Sequence, residues 1–418
     1  MAHRRYSRRG FLRVGAGAFA GALTHARPGA AQPRTVRVGA IHPASGPLAE
    51  LGLACRLGVQ LAVDAVNGAG GIASLGGARL ELLVGDSAAV AGTQVAAQRL
   101  IDAGARVLTG ALHSGHTATV AALAQRRQVP FLVDTAVADD AVGGARDASY
   151  VFRNFPTTSA FARRAVQYLV EVFADAQRSL ARVALLHSTD PLGTTQARRL
   201  EAAYAAFRPT FELPEFVPVS PRATGITTEV AKLRGLAPDA LFLAVRPTTL
   251  ALLYRHLTRD PLPVAATVSL GTPGLAEAAR AAGLGAAVER VMEIAPWPNL
   301  RNARTQHLAD EFVKRTGGRP LDATAGYAYE AILVVADAIE RAQSTEPGAI
   351  AQALSRTSFA SPFMVSGGPI VFDERGDNPN AAPALLQIFG GKPTVVWPKA
   401  AAERAYALQS PHPSGGQR

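Results

Sequence analysis

Short apolar runs alternate with amphipathic stretches along most of this chain, and that alternation restricts it to an α/β fold built on parallel strands. Val36–Ile41 (VRVGAI), Arg79–Val84 (RLELLV) and the run ending at Gly110 are short and apolar, and each stops at a glycine, proline or small polar turn. Between the first two, Leu53, Leu57 and Leu61 recur every four residues beside Ala54, Ala62, Ala65 and Val66, the spacing of a helix face; Asn67-Gly68 ends it. Gly92–Ala103 reads as a second helix. After Tyr150–Phe155 the pattern repeats. Thr157-Thr158-Ser159 opens a long helix to about Ala174, and strands at Val183–His187, Phe211–Val217, Ala240–Val245 and Pro263–Val268 alternate with helices near 194–206, 225–234 and 247–258. Two successive runs of this kind are each long enough for a doubly wound sheet, with right-handed crossovers placing helices on both faces. The last third departs from the rhythm. It has consecutive helices at Asn302–Gly317, Asp322–Ala342 and Gly348–Ser355, then short strands at Pro369–Phe372, Ala384–Phe389 and Thr394–Trp397.

Within the first run, Gly110–Val137 (GALHSGHTATVAALAQRRQVPFLVDTAV) is a strand–turn–helix–turn–strand unit. Both of its post-strand turns open on the edge where open α/β sheets bind ligands, outside the carboxyl ends of the strands. Ser114 stands where the first free helix N–H groups point, which suits a carboxylate; as a serine it also suits a plain helix cap.

A length of 418 residues allows two or three domains, and 48% hydrophobic with only 18% charged residues is enough for a large core. The single cysteine, Cys55, excludes an intrachain disulfide. The formal charge is +11, but Arg4, Arg5, Arg8, Arg9, Arg13 and Arg27 lie in residues 1–31 with no acid beside them, so the remainder carries +5. With no basic run interleaved with aromatics, nucleic-acid binding has no support. Ser7-Arg8-Arg9-Gly10-Phe11-Leu12, a short apolar run to Leu23 and the exit Ala30-Ala31 form an export signal of twin-arginine type, cleaved after Ala31 or Ala26. The apolar run is too short to span a bilayer, so no membrane insertion is expected. Residues 400–418, ending SPHPSGGQR, read as a disordered tail.

Several segments in order carry a family resemblance. They are VRVGAIHPASGPLAELG, DAVNGAGGI, LVGDS, ALHSGHT with VPFLVDTAV, YVFRNFPT, VALLHSTDPLGTT, TAGYAYEAI, GGPIVFDERGD and GGKPTVVWP. Together they resemble the extracellular solute-binding proteins of ABC transporters, in the branched-chain (leucine/isoleucine/valine) amino-acid-binding group with the type I periplasmic fold. The resemblance implies two doubly wound parallel-sheet lobes joined by three hinge crossovers, with a ligand trapped as they close. Lobe 1 would comprise residues 32–155 plus 296–362, and lobe 2 residues 156–295 plus 363–399. It further implies a periplasmic monomer, a small-molecule ligand, an inner-membrane ABC permease as partner, no cofactor and no enzymatic activity.

In that family a serine at the position of Ser114 holds the ligand carboxylate, helped by nearby backbone, here His113, Gly115 and Ala136, and by a hydroxyl after the next strand. That hydroxyl position falls on Val137, with Thr135 two residues earlier. An aromatic cover falls on Leu192, to which Leu51 adds apolar surface; a second contact falls on Arg246, and the acid that neutralises an ammonium falls near Ser269. No Asp or Glu lies between Leu262 and Leu275. A buried ammonium without a carboxylate is costly, and an arginine fork suits a carboxylate. The implied ligand is therefore a small organic or aromatic acid, an amide or an amino-acid-like molecule, with an α-amino group disfavoured, although Glu50 could reach the cleft and serve an amine.

Two rivals share these residues. One is a sensor of the same fold; the other is an exported hydrolase using His113 and Ser114, against which stands the lack of a G-x-S-x-G elbow. The His113/His116 pair has metal-like spacing but straddles a turn with no third ligand nearby. Asp86 reads as a cap, Tyr327 and Tyr329 as packing residues, and Trp297 as a crossover marker.

Overall fold

A computed structural model describes residues 35–142, 150–213, 215–270 and 275–409. The export signal at 1–31 and the last nine residues of the expected tail lie outside the described residues.

The first run folds as β1 (Thr35–Ile41), α1 (Ala49–Gly68), β2 (Arg79–Gly85), α2 (Val90–Asp102), β3 (Val107–Gly110), α3 (Ser114–Arg127), β4 (Phe131–Val133) and β5 (Val151–Arg153). Its strands form a parallel sheet in the order β2-β1-β3-β4-β5. The second run gives α4 (Thr158–Asp175), β6 (Val183–Ser188), α5 (Pro191–Phe207), β7 (Val217–Val219), α6 (Thr227–Leu236), β8 (Ala240–Ala244), α7 (Pro247–Leu257), β9 (Ala266–Leu270), α8 (Leu275–Ala281) and β10 (Met292–Ala295). The chain then returns to the first unit for α9 (Ala303–Thr316), α10 (Ala323–Ala342) and α11 (Pro347–Ser355), and ends with β11 (Ala384–Phe389) and β12 (Lys392–Trp397). The second sheet runs β12-β11-β10-β9-β8-β6-β7, parallel except for β11, which is antiparallel to both neighbours. Numbered along the chain, β1–β5 of the first sheet and β6–β10 of the second both have the doubly wound order 2-1-3-4-5.

The strands read as continuous apolar runs because helices cover both faces. Val183, Leu185, Phe242 and Val268 point to one side of the second sheet, against α4 and α5; Ala184, Leu186, Leu241 and Leu243 point to the other, against α6 and α7. In the first unit α1 packs on α10 so closely that a Cβ at Gly58 would come within 2.2 Å of the Ala325 carbonyl oxygen. The small-residue face Ala54, Cys55, Gly58, Val59 and Ala62 is therefore the buried one. The Leu53–Leu57–Leu61 stripe is split: Leu61 is buried, whereas Leu53 is 52% exposed.

Three expectations change. Within Phe211–Val217, Glu212 makes only an isolated bridge to Arg182, and the strand is Val217–Val219. Pro369–Phe372 is no strand of the second sheet. Ile370 bridges Phe359 and is buried in the first core, Phe372 stacks on Phe152, and Asp377 pairs with Arg153 at the end of β5, so this part of 363–399 packs on the first unit. The tail is ordered as far as Gln409. The Tyr406 hydroxyl donates to Asp175 at 2.8 Å, and the Gln409 amide donates to the Ala265 carbonyl at 2.8 Å.

The chain passes between the units three times: after β5 (154–157), between β10 and α9 (296–302), and between α11 and β11 (356–383).

Candidate functional site

In a sheet of order 2-1-3-4-5 the strand order reverses between the first and third strands, and the crevice outside their carboxyl ends is where ligands bind. In the first unit that point lies between His42 after β1 and Ala111–Ser114 after β3; in the second it lies between Asp190 after β6 and Arg246 after β8. The two edges approach each other. Asp139, in the loop after β4, pairs with Arg199 of α5 at 3.0 Å, and the Thr158 amide at the start of α4 donates to the Val137 carbonyl at 2.8 Å.

The turn after β3 is tight. Gly110 (φ 121°) passes so close to β1 that a Cβ would stand 2.1 Å from the Ile41 carbonyl oxygen, and Ala111 follows at φ 66°, a left-handed conformation costly for a residue with a Cβ. The Ala111 amide donates to the Ile41 carbonyl, and the Thr117 hydroxyl donates back to the Ala111 carbonyl. This turn sets the start of α3. The cap is His113, whose Nδ1 accepts from the Gly115 amide at 3.2 Å, and Ser114 is the first helical residue. The Ser114 hydroxyl oxygen accepts from the Ala138 amide at 3.3 Å, which leaves its proton to donate. Half-buried Ser114, with first-turn amides beside it, thus forms a small anion-accepting corner.

The turn after β4 is committed elsewhere. Asp134 is fully buried and accepts from His42 Nε2 (2.9 Å), the Thr109 hydroxyl (3.1 Å) and the Thr135 hydroxyl (2.8 Å). Thr135 is 5% exposed and its proton points to Asp134 rather than outward. The Ala136 carbonyl accepts from Arg153 Nη1, and the Val137 side chain is an exposed apolar surface. Leu51 and Leu192, 37% and 49% exposed in the first turns of α1 and α5, present apolar surface at the two edges.

On the second edge Asp190 caps α5, accepting from the Gly193 amide at 2.9 Å, and its other oxygen accepts from Arg246 Nε. Burial pushes the Asp190 carboxyl up, but the Gly193 amide and Arg246 outweigh it and hold it below the usual carboxylate range. Arg246, the residue before α7, is half exposed with its Nε so engaged. Ser269 is buried in β9, register-paired with Glu293 of β10, so the site does not bring it to the surface beside Arg246. Asp190 was legible as a helix start in the dipeptide Asp190-Pro191, an N-cap followed by proline at the first helical position. Its pairing with Arg246 was not.

The other acids near the edges are occupied. Asp86 accepts from the amides of Ala44 and Ala88, and Glu50 pairs with Arg319 at 3.4 Å. His113 and His116 stand 5.1 Å apart between ring centroids, and His116 is held below the ordinary histidine range by burial and by His113. Among the described residues no group of three His, Cys, Asp or Glu could hold a metal ion, and no helix is long and apolar enough to cross a membrane. A groove of about 620 Å³ lined by Val84, Asp86, Val95 and Arg99 lies against edge strand β2, not at a switch point.

A family model described as periplasmic binding protein matches residues 35–392. The leucine-, isoleucine-, valine-, threonine- and alanine-binding protein of Pseudomonas aeruginosa is 23% identical over 83% of this chain and 88% of its own length. A protein from Silicibacter pomeroyi, named for a branched-chain amino acid ABC transporter, superposes with a TM-score of 0.78 at 20% identity, covering 90% of this chain and 99% of that one. A solute-binding protein of an ABC transporter from R. palustris, in complex with benzoate, superposes with a TM-score of 0.62 at 20% identity, covering 89% and 98%.

Proposed function

Because this chain belongs to the periplasmic binding protein family, the group of ABC-transporter solute-binding proteins rather than enzymes, we propose that it captures a small carboxylate lacking an α-ammonium group and delivers it to an inner-membrane permease. The export signal read in residues 1–31 fits delivery to the periplasm by the twin-arginine route. The observation that carries the ligand class is the second edge: it offers Arg246, and the nearest carboxylate there, Asp190, has both oxygens engaged. An ammonium buried at that edge would lack a counter-charge and meet a guanidinium. A carboxylate held at Ser114 and the start of α3, with apolar cover from Leu51 and Leu192, and a polar or acidic group facing Arg246, fits a mostly apolar site with few oriented polar groups. The benzoate bound by the R. palustris protein is a ligand of that chemistry on this fold.

His113 supports binding over hydrolysis. Its Nδ1 is taken by the Gly115 amide, so that nitrogen is not poised to draw a proton from Ser114. The test is a thermal-shift screen of the purified mature protein against aromatic and aliphatic acids, with leucine, isoleucine and valine alongside. A ligand at a hundredfold excess over its Kd stabilises by about 2.7 kcal/mol, which such a screen resolves. Stabilisation by the amino acids and not by the acids would reverse the assignment.

A further inference from the structure

Glu330 is a carboxylate buried where all three crossovers meet, on the inner face of α10 and 1% exposed. Its Oε1 accepts from Asn154 Nδ2 of the first crossover at 3.2 Å; its Oε2 accepts from the Phe363 and Met364 amides of the third at 2.7 and 3.3 Å. The third crossover is in turn laced to the second: Asn299 donates to the Phe363 carbonyl and Val365 to the Trp297 carbonyl, both at 2.9 Å. Phe155, Tyr327 and Met364 close a small apolar cluster beside the carboxylate, with Phe155 and Tyr327 stacked edge to face at 4.7 Å. One side chain thus ties two of the three crossovers to the first unit directly, and the remaining one through the third.

Arg304 of α9 and Tyr327 and Tyr329 of α10 are the charged or titratable groups around it, and Tyr168 of α4 faces Tyr327. The crossovers contribute Asn154, Phe363 and Met364, none of which titrates. Burial pushes the Glu330 carboxyl up to about 7, against the pull of the Phe363 and Met364 amides, Asn154 and Arg304. Asn154 itself is fully buried, and its Oδ1 has no hydrogen-bond partner.

We propose that Glu330 is a proton-operated clamp on the hinge. As a carboxylic acid it donates Oε1–H to the Oδ1 of a turned-over Asn154 and still accepts the Phe363 and Met364 amides at Oε2; as a carboxylate it keeps three donors from two crossovers but is a charge held away from water, which opening of the hinge relieves. The turned amide pairs the oxygen that now lacks a partner and gives up the Nδ2 bond in exchange. A ligand-gripping hinge would then be looser in mildly alkaline than in mildly acidic surroundings. This inference concerns the ligand-free hinge and does not rest on which solute binds.

The test is hydrogen exchange read by mass spectrometry on the ligand-free mature protein, at about pH 6 and about pH 8, either side of the proposed titration. Rates are corrected for intrinsic exchange, and the peptide containing Phe363 and Met364 is followed. Corrected exchange should be about tenfold faster at the higher pH, because the carboxyl that titrates at about 7 in the closed hinge returns toward the ordinary glutamate range, about 4.3, once opening exposes it. Glu330→Gln, which carries the neutral form's donor and cannot ionise, should exchange at the same corrected rate at both pH values. Equal protection of the wild type at the two pH values would overturn the proposal, whether or not the variant folds. A pH difference that survives in Glu330→Gln would overturn it too, by assigning the titration to another group.

Discussion

Arg246→Ala is the substitution that bears most directly on the ligand. Arg246 engages Asp190 through Nε, so the second edge is a neutral pair whose cationic half is the more exposed: 49% of the arginine side chain against 8% of the aspartate. On the proposed function, truncation removes a donor to the ligand's anionic group, worth ~1.5–3 kcal/mol for a hydrogen bond to a charged group. It also uncovers Asp190. The Gly193 amide still holds that carboxylate in its charged form, so the edge turns from neutral to negative opposite an anion. Truncating one member of a buried charge pair costs ~2–5 kcal/mol. Because Arg246 is half exposed, solvent screening places the expectation at the lower end, about a 30-fold weaker Kd. Isothermal titration with benzoate, the acid bound by the R. palustris relative, or with the best acid from the thermal-shift screen, measures it. Adding Asp190→Asn to Arg246→Ala should restore part of the loss, since the asparagine keeps the cap on Gly193 without the charge. The single variant should also gain affinity for an amine-bearing ligand, for which Asp190 is now a partner. Affinity for the acid within twofold of wild type would remove Arg246 from the site and refute the argument for a ligand without an ammonium group.

Other expectations follow from single observations. Glu330, raised by burial from 4.5 to about 7, binds its proton more tightly folded than unfolded; its contribution to stability is complete below about 4.5 and is lost as pH rises through about 7. That contribution is ~3 kcal/mol, and urea denaturation across this range should show it in the wild type and a flatter profile in Glu330→Gln. Gly193→Ala would put a Cβ 2.3 Å from the Ser188 carbonyl oxygen and 2.9 Å from that of Ala244, so it should weaken ligand binding by unseating α5 and Asp190 together; a binding-competent Gly193→Ala with unchanged Kd would contradict this. Phe242→Ala empties a fully buried site between the second sheet and its helices and should cost ~3–5 kcal/mol in chemical denaturation. The Arg199–Asp139 pair, 44% and 24% exposed, should yield a coupling below ~1 kcal/mol in a double-mutant cycle.

The alternation of strand and helix was legible because each parallel strand is buried on both faces and so stands out as an uninterrupted apolar run. Val183–His187 against the observed Val183–Ser188, and Asp322–Ala342 against Ala323–Ala342, show how little tertiary context altered such segments. Where packing rather than propensity decides, the reading slipped. In α1 the leucine spacing suggested the buried face, but α1 meets α10 through Gly58 and its alanines, a contact only small residues permit, and Leu53 is left outside. The segment 370–378 carries too few apolar residues to declare its sheet. It is fixed by the Arg153–Asp377 pair, a contact across more than two hundred residues of sequence. The whole tail was read as disordered from its polar, proline-bearing end SPHPSGGQR, yet in the alanine-rich stretch before it Tyr406 and the Gln409 backbone find partners on the second unit that composition cannot show.

The placement of the candidate residues was legible on one edge and hidden on the other for the same kind of reason. Ser114 follows its strand directly, so its place at the first switch point could be read from local order alone. What it does there could not: the cap is His113, which frees the serine hydroxyl, and the hydroxyl expected to help it, Thr135, is spent on Asp134. On the second edge Asp190 and Arg246 each announce a helix start through a following proline, but they become neighbours only because β6 lies beside β8 in the sheet. Sequence supplied a lone arginine, whose charge seemed to decide the ligand by itself. The sheet order supplies its partner, and the inference changes in kind. A lone cation would attract any anion. A guanidinium held at Nε by a capped aspartate is neutralised at long range and directed at short range, so it discriminates by geometry rather than by charge alone. It follows that affinity for the correct acid should depend weakly on ionic strength, and that inorganic anions should compete poorly.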